Sequence, residues 1–136
     1  MKKAVVYWSG TGNTEAMAKA VAEGAGAPLI SAADFGAAQA AELDGIAFGC
    51  PAMGAEALEE SEFEPMFESV KGSLAGKRVA LFGSYGWGDG DWMQLWEDDC
   101  RAAGFSLVCP SVICQGEPDA QALAKCKALG AALQSV

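Results

Sequence analysis

The chain has 136 residues, enough for one hydrophobic core and too few for two ordinary domains, so a single domain over 1–136 is expected. Eighteen acidic against nine basic residues give a formal charge of −9, which disfavours nucleic acid and anionic membranes and favours partners with basic patches. Histidine is absent, which removes Ser-His-Asp and Cys-His nucleophile pairs and most zinc chemistry.

After Met1-Lys2-Lys3 the first apolar run, Ala4-Val-Val-Tyr-Trp8, reads as a strand. It is too short for a signal-peptide core or a membrane span, and a cytoplasmic monomer is expected. The strand runs through Ser9-Gly-Thr-Gly-Asn-Thr14 into a segment with Met17, Ala20, Val21 and Gly24 at helical spacing. A loop that opens a helix presents unpaired N–H groups and the positive end of the helix dipole, which together favour a phosphate. Ser9, Thr11, Asn13 and Thr14 add short polar side chains, and Gly10 and Gly12 permit a tight turn. There is no Gly-Lys-Ser/Thr ending, which argues against a nucleoside-triphosphatase, and Glu15 breaks the dinucleotide fingerprint even though Asp34 lies near the ribose-acid position. A hydroxyl-rich cradle without charge suits one terminal phosphate monoester. An ordinary N-capped turn, with Asn13 or Thr14 as the cap, is the alternative.

Further along, Pro28-Leu-Ile-Ser31 reads as a short strand near an edge, and the alanine-rich 32–42 is ambiguous. Gly45-Ile-Ala-Phe-Gly49 reads as a buried strand ending at Cys50-Pro51. Ser61 and Glu64 form a capping-box pattern ahead of a helix with Phe63, Met66, Phe67 and Val70 on one stripe. Arg78-Val-Ala-Leu-Phe-Gly83 is the fourth strand, followed by the glycine-rich 84–91 and a helix with Trp92, Trp96, Cys100 and Ala103 on one side. Phe105-Ser-Leu-Val108 reads as the fifth strand, interrupted at Pro110 and resumed through Val112-Ile113, and Leu123, Cys126, Leu129 and Leu133 mark the last helix. The five cysteines, odd in number and without a Cys-x-x-Cys, read as reduced and buried.

Alternating strands and helices predict an α/β three-layer sandwich with a five-stranded parallel sheet of order 2-1-3-4-5 and helices on both faces. Ligands bind such sheets at the carboxyl ends of the strands, where loops 9–14, 50–56 and 84–90 converge. A flat aromatic ligand with a phosphate tail satisfies all three, since Met53 and Trp87 sit on glycine-flanked backbone suited to contact with a large ring. Core packing is the alternative for both.

Tyr7-Trp-Ser-Gly-Thr-Gly-Asn-Thr-Glu15, Gly49-Cys-Pro-Ala-Met-Gly54 with Glu56, Leu58-Glu-Glu-Ser61 and Leu81-Phe-Gly-Ser-Tyr-Gly-Trp-Gly-Asp89 together resemble the short-chain flavodoxins of anaerobic bacteria. The resemblance implies the flavodoxin-like fold and non-covalent flavin mononucleotide (FMN), its phosphate in Ser9, Gly10, Thr11, Gly12, Asn13 and Thr14. It implies an isoalloxazine held between Met53 and Trp87, flanked by Pro51, Ala52, Gly54, Ala55 and Glu56 on one loop and by Ser84, Tyr85, Gly86 and Gly88 on the other. Glu56 is expected to accept from flavin N3, and the Gly54-Ala55 peptide to flip on one-electron reduction to a neutral semiquinone. Position 55 is alanine where relatives often carry glycine, aspartate or asparagine. The implied function is low-potential one-electron transfer between redox enzymes, with no catalytic residue and no metal. An FMN-dependent NAD(P)H or quinone reductase on the same fold is the alternative, and a flavin-free receiver module is disfavoured by Ser9 where that class needs acids.

Overall fold

The computed structural model describes residues 2–53, 57–86 and 88–133. Its strands β1 (Lys3–Tyr7), β2 (Leu29–Ser31), β3 (Gly45–Gly49), β4 (Arg78–Tyr85) and β5 (Val112–Gln115) pair in parallel in the order β2-β1-β3-β4-β5. This is the expected order. The helices are α1 (Asn13–Ala25), α2 (Ala37–Ala41), α3 (Phe63–Val70), α4 (Asp91–Ala102) and α5 (Ala120–Leu133).

Successive strand side chains point to opposite faces, and here the alternation sorts residues by size. Val6, Ile46, Phe48, Val79 and Leu81 face a core shared with α3 and α4. Val5, Ala47, Ala80 and Phe82 face α1 and α5. The register sets Val6 beside Phe48 and Phe48 beside Leu81 on the first face, and Val5, Ala47 and Ala80 in line on the second. The first face is aromatic: Trp96 meets Phe63 and Phe67 edge-on, with ring centroids 5.4 and 5.7 Å apart.

On the second face two helices, α1 and α5, cross closely at glycines. A Cβ placed on Gly24 would lie 2.1 Å from the Lys127 carbonyl oxygen, and one on Gly130 would lie 2.1 Å from that of Val21. Both neighbours are backbone and cannot swing aside. Gly130→Ala is therefore expected to destabilise the protein by about 1–3 kcal/mol through overpacking, against a gain of about 1 kcal/mol in helix propensity. A urea midpoint equal to or above that of the wild type would refute this account of the α1–α5 contact.

The alanine-rich stretch resolves into a 3-10 turn, Ala32–Asp34, and the short α2. The fifth strand differs from expectation: residues 105–108 form only an isolated bridge, Leu107 to Val79, and the strand itself, β5, begins after Pro110 and pairs with β4. The start of α3 differs from expectation. Ser61 does not cap the helix; its amide and hydroxyl both donate to the Glu59 carboxylate, as do the amides of Glu62 and Phe63.

Candidate functional site

Strand pairing continues past the strand ends and aligns three loops. Trp8 N donates to Gly49 O (3.0 Å), Cys50 N to Phe82 O (3.2 Å) and Ala52 N to Ser84 O (2.9 Å). Between the loops lies a cleft of about 210 Å³. The first loop lines it with Trp8, Gly10, Thr11 and Asn13, the second with Pro51, Ala52 and Met53, and the third with Ser84, Tyr85 and Gly86.

In the first loop Gly12 has φ 97°, a left-handed conformation that turns the chain into α1. The loop amides converge on hydroxyl oxygens: Ser9 Oγ accepts from Gly12 N (3.1 Å) and Glu15 N (3.2 Å), and Thr11 Oγ1 from Asn13 N (3.4 Å). These donors stand at the positive end of a helix of thirteen residues, a disposition that suits phosphate oxygens. Thr14 is placed differently. It is 1% exposed, and its hydroxyl shares a 2.7 Å hydrogen bond with Ser84 Oγ, tying the first loop to the end of β4. Beside the loop a second concavity brings Thr11, Gly12 and Asn13 together with Glu117 and Pro118.

Met53 is one of the few large apolar side chains left exposed, at 37%, so it belongs to the cleft rim and not to the core. Tyr85 leans on Trp92, and the Gly86 carbonyl accepts from Gln115 Nε2 at 3.3 Å. Gly88 has φ 97° and is exposed. Gly54, Ala55, Glu56 and Trp87 lie outside the described residues. No Lys or Arg occurs in residues 8–14, 50–62 or 84–91, whereas Glu62 and Asp89 are exposed. The formal charges within these loops are therefore all negative.

Sequence reasoning missed two contributors. Trp8 lines the cleft, and its indole N–H donates to Glu62 Oε1 at 2.8 Å. Glu59 is 5% exposed and gathers the donors at the start of α3. The available signal was an acid placed two to four residues ahead of a helix's free amides. Burial alone pushes the Glu59 carboxyl up; the hydrogen bonds from Ser61, Phe63 and Glu62 outweigh it and hold the group at about 2. The folded value is thus below the ordinary 4.5, so the carboxylate stabilises the fold above about pH 4.5 and that contribution is lost as pH falls through about 2. Across this window the wild type is expected to lose up to about 1.4 kcal/mol per pH unit more than Glu59→Gln, a difference that acid–urea titrations of both would measure. Parallel titrations would refute it.

Burial pushes the Cys50 thiol, beneath the second loop, up to about 12, so it supplies no thiolate nucleophile to the cleft. A larger cavity, about 440 Å³, lies at the sheet edge between β5 and α5, walled by Val112, Ile113 and Leu129. None of its lining residues belongs to the three loops.

The model of the family described as flavodoxin matches residues 5–130. A flavodoxin of Clostridium beijerinckii is 48% identical over 120 residues, covering 85% of this chain and 87% of its own. A flavodoxin of Megasphaera elsdenii is 42% identical over 133 residues, covering 94% and 95%. The solution structure of two-electron reduced Megasphaera elsdenii flavodoxin superposes with a TM-score of 0.87 at 43% identity, over 96% of this chain and 97% of that one. With its sheet order, its three converging loops and these relatives in agreement, the chain belongs to the flavodoxin family, whose members carry a flavin and transfer electrons without turning over a substrate of their own.

Proposed function

We propose that the flavin is non-covalent FMN, that residues 1–136 act as one FMN-binding domain, and that the protein is a low-potential one-electron shuttle. The observation that carries this reading is the convergence of loop amides at the start of α1, on the same cleft as Trp8, Met53 and Tyr85. A phosphate end and an aromatic end are thereby offered to one ligand. Ser9, Thr11 and Asn13 with their backbone amides hold the phosphate, while Pro51, Ala52 and Met53 and Ser84, Tyr85 and Gly86 flank the ring. Thr14 serves from behind by fixing the loop to Ser84. Gly54, Ala55, Glu56, Trp87 and Gly88 complete the ring site in this proposal. When bound, the flavin supplies one-electron redox chemistry, and the protein's task is to orient it and set the local field.

The acidic surface suits brief, salt-sensitive docking to redox enzymes with basic patches, and we infer a monomer working in the cytoplasm. No helix among the described residues is long and apolar enough to cross a membrane.

The test is a titration of flavin-stripped protein with FMN and with riboflavin, followed by stepwise anaerobic reduction. Binding that favours FMN strongly, with uptake of electrons one at a time, is the expected result. Equal affinity for the two flavins would overturn the phosphate assignment. Rapid oxidation of NADPH by the loaded protein would favour a reductase instead.

A further inference from the structure

Two walls of the cleft, Trp8 and Met53, come from different loops, yet both are fastened to the same short segment. Met53 N donates to Ala57 O at 2.8 Å, and Ala57 N returns a bond to Met53 O at 3.2 Å. Two residues on, Glu59 N donates to the buried Cys50 Sγ at 3.4 Å. Glu62 then accepts the Trp8 indole N–H at 2.8 Å. Between these attachments the chain has no regular structure, and its shape is closed by one group. The Glu59 carboxylate accepts from Ser61 N (2.8 Å), Glu62 N (2.7 Å), Phe63 N (2.9 Å) and the Ser61 hydroxyl.

We propose that Glu59 is a positioning residue for the flavin: by closing the 57–63 turn it sets the Trp8 indole through Glu62 and the Met53 backbone through Ala57. Glu59 does not line the cleft itself. The inference rests on the flavin reading above and deepens it. Charge and position predict opposite signs here. A carboxylate near a phosphate-bearing ligand repels it, so removing that charge alone tightens binding. If Glu59 works by position, removing its charge weakens binding, because glutamine offers one acceptor oxygen in place of two and turns an NH2 group toward backbone donors.

The experiment compares wild type, Glu59→Gln and Leu133→Ala. Leu133 is fully buried against Gly45 at the amino end of β3, so its truncation lowers stability without touching the cleft. Flavin-stripped proteins are examined first by NMR for hydrogen exchange at the Met53 and Ala57 amides and for the Trp8 indole N–H shift. FMN affinity is measured next. Glu59→Gln is expected to speed exchange at both amides, move the Trp8 signal and weaken FMN by about tenfold or more. Leu133→Ala is expected to leave all three close to wild type. Affinity of Glu59→Gln equal to or tighter than wild type overturns the proposal, as does an equal loss in Leu133→Ala. Should Glu59→Gln fail to fold, Glu62→Ala removes the acceptor of the Trp8 indole and leaves the backbone donors to Glu59 in place: moving the indole signal and weakening FMN supports the proposal, and leaving both unchanged overturns it. Wild type that does not bind FMN overturns the functional reading, while the flavin-free NMR comparison still decides whether Glu59 holds Trp8 and Met53.

Discussion

Thr11→Asp is expected to weaken FMN by about 30- to 1,000-fold while leaving riboflavin within about threefold of wild type. Thr11 lines the cleft and caps the Asn13 amide through its hydroxyl. In the proposed site a carboxylate there faces the phosphate. Two unit charges about 4 Å apart repel by about 4 kcal/mol at an effective dielectric near 20. Thr11 is exposed, so screening by water trims this to about 2–4 kcal/mol, which sets the range given. Riboflavin lacks the phosphate and feels almost none of it.

The same substitution acts in the opposite direction on the flavin-free fold. An aspartate one residue before the N-cap Gly12 lies near the positive end of α1 and stabilises the helix by about 0.3–1 kcal/mol. Thermal unfolding of stripped Thr11→Asp is therefore expected at or above the wild-type temperature even as FMN affinity collapses. Damage to folding would lower both together. If FMN and riboflavin weaken equally, the loop is not the phosphate site.

The sheet was legible because apolar runs fill the middle of its central strands, 4–6, 45–49 and 79–83. Gly45–Gly49 is buried along its whole length, and a run of that kind flanked by turn residues has few other fates. The loops were legible as loops, since glycine and hydroxyl residues follow each strand. Contacts distant in sequence were not. Thr14 and Ser84 are seventy positions apart, and nothing local to either shows that their hydroxyls meet. The capping-box pattern at Ser61 and Glu64 misled because a nearer acceptor wins: the two Glu59 oxygens reach Ser61, Glu62 and Phe63 at once. Residues 32–42 carried no amphipathic signal because alanine fits either a turn or a helix, and the structure contains both. Gly24 was legible as part of a small apolar stripe, but only the α1–α5 crossing shows that a side chain is excluded there and at Gly130.

The loaded protein is expected to take up its two electrons at well-separated potentials, the second strongly negative, with a long-wavelength absorption band that rises and then vanishes during the titration. The reason lies in the charges around the cleft. The ring gains negative charge with the second electron, and residues 8–14, 50–62 and 84–91 contain no Lys or Arg to offset it. Exposed Glu62, Asp89 and Glu117 border these loops on a chain of net charge −9. Asp89→Lys replaces one of these acids with a base and is expected to raise the second potential by on the order of tens of millivolts at low salt. Glu42→Lys makes the same change in net charge beside the amino end of β3, away from the cleft, and is expected to do much less. The difference between the two variants is expected to shrink at 1 M salt, where the screening length falls to about 3 Å. Equal shifts in the two variants would mean that net charge, and not the local field of the three loops, sets the potential. A single two-electron step would remove the basis for a one-electron shuttle, because the site would then not oppose the second charge.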